Sequence, residues 1–173
     1  MNELRPAGDP LVGWRYWQLV AGGERLRSVS LRRFVWEPGR PMRASCMAGR
    51  HRAPAPDCDC GIYAAPDLGT LREHGLCLVP GGLVVGEVGL WGAVLTGEAG
   101  GYRGEYASPR TFRLVQETVP EESRASVLEA LAAYGVPVST TRLQEAVGEL
   151  SGAVLSNQVM SLRTSMGTGT EPG

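Results

Sequence analysis

Lysine is absent from this chain of 173 residues: all seventeen basic side chains are arginine. Together with 24 glycines and 12 prolines, this has the stamp of a GC-rich genome. It weakens any argument that each arginine was selected for its forked guanidinium. Also missing is an apolar run long enough to span a bilayer. The opening residues, MNELRPAGDP, lack the charged start and apolar middle of a secretory leader. No membrane association and a cytoplasmic location are therefore expected. Thiols stay reduced there, so clustered cysteines point to metal ligation or redox exchange rather than to structural disulfides. Histidine is scarce too, with only His51 and His74. No nucleophile–base pair stands out among them, and the chain is not expected to be an enzyme. The segment GEVGLWG has the wrong glycine spacing for a dinucleotide fingerprint, and no internal repeat is evident.

What the chain does contain is one sizeable core's worth of apolar residue, 43% of the total. The net charge of −1 hides an asymmetry. Residues 1–52 hold ten arginines against four acids, and residues 53–173 hold seven against fourteen. The two parts are expected to pair within the molecule, although a basic surface can also meet an anionic partner.

Along the chain, residues 1–12 read as a flexible arm. Residues 13–117 read as a β-rich domain, with strands expected at 13–20, 25–36, 42–46, 61–65, 76–79, 83–97, 102–107 and 111–115. Glycines at 86, 89 and 92 make the run at 83–97 too punctuated for a flat strand and predict a bulge or sharp bend. PDLGTLREHG predicts a short inserted helix. Residues 118–155 read as a helical tail packed on the sheet, with a box-like Thr118-Val-Pro-Glu121 opening one helix and Thr141 to Gln144 opening another. The brief VPV at 136–138 separates them, and a helix-turn-helix reading is disfavoured because the second helix carries little positive charge. Residues 156–173 read as a disordered end. The expected fold is α+β: a bent, mostly antiparallel sheet or small β-barrel, with one short inserted helix and two C-terminal helices.

The densest chemistry lies in CMAGRHRAPAPDCDC, which places Cys46, His51, Cys58 and Cys60 within fifteen residues. Three thiolates and an imidazole are the donors Zn²⁺ prefers, and four of them complete a closed tetrahedral site. Such a site is structural, coupling metal binding to the ordering of the proline-rich loop. An iron–sulfur cluster and the absence of any metal are the alternatives. Cys-x-Cys needs a kinked backbone to bring both sulfurs to one side, and Gly61 can supply it. A redox reading would instead have Cys58 and Cys60 exchange a disulfide. Cys77, in an apolar strand, is expected to be core.

Two weaker constellations stand beside it. Arg25, Arg27, Arg32 and Arg33, with Trp14, Tyr16, Trp17, Phe34 and Trp36 nearby, fit single-stranded nucleic-acid binding, although strand aromatics are more often core. Glu98, Arg103 and Glu105 could form a polar pocket with Tyr63 or Trp91, although a plain surface ion pair is the simpler reading. The combination of WEPG, CDCGIYA, VGEVGLWGAV and EAGGYRGEYASP, over residues 12–115, resembles a group of small actinobacterial proteins of unknown function. The resemblance implies that the four cysteine and histidine residues act as one unit, and implies nothing about activity. The sequence thus points to a non-enzymatic cytoplasmic binding module with a structural Cys3His zinc site and an exposed sheet face for a protein partner. Nucleic-acid binding and thiol redox chemistry are its rivals.

Overall fold

A computed structural model describes residues 3–5, 8–20, 22–29, 34–49, 51–74, 81–97 and 100–148. The expectations for Cys77, the strand at 76–79, Arg32, Arg33, Glu98, the C-terminal half of the last helix and the end at 156–173 fall outside them. Among the described residues ten strands form one mixed sheet curled into a half-barrel, with three helices, so the α+β expectation holds. Among the described residues no helix is long and apolar enough to cross a membrane.

The sheet is organised around β7 (Leu83–Thr96), which has neighbours along both edges. On one edge lie β2 (Leu11–Leu19) and then β1 (Glu3–Arg5), inside the segment expected to be an arm. On the other lie β9 (Phe112–Val115) and then β8 (Tyr102–Pro109). β8 and β9 form nearly one strand, interrupted where Arg110 and Thr111 close on Glu87. The chain passes so near β7 there that a Cβ on Gly86 would lie 2.0 Å from the Thr111 carbonyl oxygen. The bend expected from the glycines is a bulge between Trp91 and Val94, at Gly92 with φ +72°.

The expected single strand at 25–36 is instead a hairpin. β3 (Leu26–Ser28) pairs with β4 (Val35–Trp36), placing Leu26 opposite Trp36, and both side chains turn into the core. The strand at 42–46 is shorter than expected: β5 covers Met42–Arg43, and Ala44 makes a last bond to the Glu105 carbonyl at 2.7 Å. β6 (Ile62–Ala64) and α1 (Leu68–His74) follow as expected, with Asp67 capping the Thr70 N–H at 2.7 Å.

The tail departs most from expectation. Thr118 does not cap the next helix. It ends a 3-10 turn (Gln116–Thr118), donates to the Val115 carbonyl and accepts the Leu83 N–H, while Pro120 is the N-cap of α2 (Glu121–Ala132). The piece after α2 is β10 (Val138–Thr141), which runs parallel to β9, so β9, α2 and β10 form a crossover unit rather than a helix-turn-helix. α3 (Leu143–Val147) then stops at Gly148, whose φ of +84° suits a residue without Cβ.

Both faces of the sheet are covered, which explains the nearly continuous apolar run of β7. Trp17, Val84, Leu114 and their neighbours pack under α2. The residues next to them in sequence, Tyr16, Val85 and Val115, pack with α1 and α3. On the α2 side, Trp17 meets Trp36 and Phe112 edge-on, and Phe112 meets Tyr134 edge-on at 5.3 Å. The buried Tyr134 hydroxyl accepts the Leu26 N–H at 3.0 Å and donates to the Trp36 carbonyl at 2.6 Å, which ties the β3–β4 hairpin to the end of α2. Tyr134→Phe strands two buried backbone groups. It is expected to cost about 2 kcal/mol in denaturant unfolding, whereas a loss below about 0.5 kcal/mol would show that the hairpin does not depend on this hydroxyl.

Candidate metal centre and adjoining cleft

β5 and β6 lie end to end along the edge of β8 that faces away from β7. Between them residues 44–61 leave the sheet as a loop, which Pro54 and Pro56 keep out of regular structure. Two turns aim the cysteines inward. The Gly49 N–H donates to the Cys46 carbonyl at 3.1 Å, and the Cys58 N–H donates to that of Ala55 at 3.2 Å. Gly61 supplies the kink after Cys-x-Cys: its φ is +128°, and a Cβ there would lie 3.0 Å from the Arg103 Cβ and 3.1 Å from that of Pro54.

The result is a cage. The Sγ atoms of Cys46 and Cys58 are 3.8 Å apart, Nε2 of His51 is 3.3 Å from Sγ of Cys60, and the four donor atoms all lie within 4.8 Å of one another. Zinc–sulfur bonds of about 2.3 Å arranged tetrahedrally give a sulfur–sulfur edge of about 3.8 Å. The donor set and its spacing therefore fit a metal ion. At 3.8 Å the Cys46 and Cys58 sulfurs are much further apart than the roughly 2 Å of a disulfide; Cys58 and Cys60 are half-buried and His51 is exposed. Burial pushes the Cys60 thiol above its ordinary pKa. The Ala55 backbone opposes this, and the Cys58 and Cys46 sulfurs add to it. Three sulfurs this close resist ionising together, and a bound dication removes that penalty.

Two charged residues of β8 hold the loop. Arg103, 8% exposed, donates from one guanidinium nitrogen to the carbonyls of Ala55, Cys58 and Cys60. Glu105, 3% exposed, accepts from Arg52 Nε at 2.6 Å and from the Ala93 N–H at 3.1 Å. Burial raises the Glu105 pKa, but the Ala93 N–H and Arg52 outweigh it and hold the carboxyl below its ordinary value. Tyr63 closes the arrangement by donating to the Asp59 carbonyl at 2.6 Å.

Of the residues expected to form a polar pocket, Arg103 and Tyr63 do meet, the guanidinium lying 6.0 Å from the ring centre. Trp91 stacks instead on Tyr106 at 5.9 Å. Arg103 and Glu105 are not a surface ion pair. Each is buried and each grips the loop, a role invisible in sequence because it depends on β5 and β6 flanking the same edge of β8. Of the arginines expected to contact nucleic acid, Arg25 pairs with Glu37 at 2.8 Å and Arg27 donates to Gln18 at 3.0 Å. Tyr16, Trp17 and Trp36 are buried core residues rather than stacking platforms.

Beside the cage opens a cleft of about 620 Å³, with Cys46, Cys58 and Cys60 along one side and Trp14, Tyr16, Phe34 and Leu71 among its other walls. No family model, curated protein or solved structure matches the chain.

Arg103→Met removes the grip on three carbonyls without touching a ligand. It is expected to weaken metal affinity about 10- to 100-fold in competition with a chromophoric chelator, and unchanged affinity would show that the ligands need no such support. Because the folded pKa of Glu105 is depressed, its contribution to stability is full above its ordinary value of 4.5 and is lost as the pH falls through the lower folded value. In metal-free protein the melting temperature should fall over that range, and Glu105→Gln should flatten the fall. An identical profile for the variant would remove Glu105 from the account.

Proposed function

We propose that this chain is a non-enzymatic, cytoplasmic binding module in which a zinc ion orders the proline-rich loop as one wall of a binding cleft. Cys46, Cys58 and Cys60 bind as thiolates and His51 through a neutral ring nitrogen. The observation that carries this reading is the cage itself, four soft donor atoms within 4.8 Å of one another on a loop already clamped by Arg103 and Glu105. Zinc is favoured over an iron–sulfur cluster because a polynuclear cluster needs its donors spread around a body of several atoms. Four protein ligands leave no position for substrate, so the metal staples rather than catalyses. The cleft beside the staple, rather than the exposed sheet face expected from sequence, is the better recognition surface, since it is concave and largely apolar.

The redox reading is less well supported. A Cys58–Cys60 dithiol uses two of the four gathered donors and leaves Cys46 and the His51–Cys60 contact without a purpose. Nucleic-acid binding is less well supported as well, because Tyr16, Trp17 and Trp36 lie in the core and Arg25 is paired with Glu37.

Elemental analysis of protein purified without oxygen is expected to find zinc in equimolar amount. Cys58→Ser should lose most of that zinc and melt at least about 5 °C lower. A metal-free wild-type chain, or a Cys58→Ser variant with unchanged melting, would overturn the staple.

A further inference from the structure

The inner wall of the cleft carries a charge that the staple does not use. Arg15 lies on β2 opposite Gly86, between Trp14 and Tyr16, and is only 9% exposed. Its guanidinium donates to the Tyr63 carbonyl at 3.0 Å and to Ser28 Oγ at 3.2 Å, and its Nε has no acceptor. The rings of Trp36 and Trp17 lie 4.8 and 5.5 Å from Cζ. Among the described residues no carboxylate pairs with it. Burial lowers its pKa to about 10, which still leaves it protonated at neutral pH. A buried cation without a counter-ion is costly, and where such a group sits in a cleft the missing anion is a ligand by first hypothesis.

Ser28 sharpens the point. Its Oγ accepts from Arg15 and also from Trp36 Nε1 at 3.0 Å, so its lone pairs are engaged and its own proton is left to donate. Arg15, Ser28 and Tyr63 all line the cleft. This wall thus presents an excess of donors over acceptors. The surfaces around it are apolar, from Trp14, Val29, Phe34, Met42, Ile62 and Leu71, while the charged lining residues Arg43 and Asp59 are exposed at the rim. A volume of 620 Å³ suits a small organic molecule. One buried cation balances one negative charge, which favours a carboxylate over a phosphate monoester.

We infer that the cleft binds a small amphipathic monocarboxylate, its head group on Arg15 and Ser28 and its hydrocarbon body along the apolar wall. This deepens the binding-module reading and relies on the stapled loop for one side of the cleft, but not on the identity of the metal.

The test is isothermal titration of the full, metal-loaded chain with decanoate, 1-decanol and decyl phosphate as probes. Decanoate should bind at least tenfold tighter than decanol, and decyl phosphate should not exceed decanoate. Arg15→Met should abolish the preference for decanoate over decanol. That variant should also melt no lower than the wild type, because it removes an uncompensated buried charge. Ser28→Ala should weaken decanoate several-fold, and it serves as the test on its own if Arg15→Met does not fold. No decanoate binding, equal binding of decanoate and decanol, tighter decyl phosphate, or a preference that survives both substitutions would overturn the inference. A zinc-loaded chain that fails to discriminate sinks the ligand and leaves the staple. A chain that discriminates without bound metal sinks the staple and supports the ligand.

Discussion

Two charges buried in a β-strand decide where the cysteine loop sits. Arg103 and Glu105 are two residues apart on β8, yet neither neutralises the other. One grips three carbonyls of the loop, and the other holds Arg52 and the Ala93 N–H. Removing either partner from such an arrangement leaves an uncompensated charge in a low-dielectric place, so loop and sheet order together. The bulge in β7 makes this possible. It frees the Ala93 N–H from the strand ladder, and at Gly92 a Cβ would lie 2.7 Å from a Glu105 carboxylate oxygen. A backbone irregularity in one strand thereby creates the seat for a carboxylate in the next, and that carboxylate in turn anchors a loop on the far edge.

The same strands separate two kinds of surface. Where β2 and β7 run side by side, alternate residues serve two cores, one under α2 and one shared with α1 and α3. Tyr16 shows how tightly the second is closed. Its hydroxyl donates to the Ala146 carbonyl at 2.6 Å, and burial raises its pKa to about 12 against the influence of Arg72. Near the cysteines no helix among the described residues covers the sheet in this way, and the gap is the cleft. Its walls come from β2, the β3–β4 hairpin, the loop and α1, so no single element forms it.

Local chemistry was legible in the sequence, and long-range geometry was not. The cysteine and histidine cluster, the kink at Gly61 and the bulge among the β7 glycines follow from residue types at short spacing. The α+β character follows from the shift between two-residue and helical periodicity. The crossover to β10 was missed because Val-Pro-Val is too short to signal a strand until β9 offers it an edge. Thr118 resembled a helix cap, but its hydroxyl is claimed by Val115 and Leu83, the latter 35 residues away. Arg15 could not be singled out at all. In sequence it is one arginine among seventeen, and it is buried by groups far from it in the chain, Ser28, Trp36 and the Tyr63 carbonyl.

The chain order of these parts has a consequence for how the protein is made. Cys46, His51, Cys58 and Cys60 have all left the ribosome once Cys60 has emerged, whereas the strand that clamps their loop, including Arg103 and Glu105, comes tens of residues later. At translation speeds of about 5–20 residues per second, the thiols spend a few seconds on a nascent chain with no sheet to shelter them. A metal ion captured in that interval would protect them from oxidation and nucleate the loop before its scaffold exists.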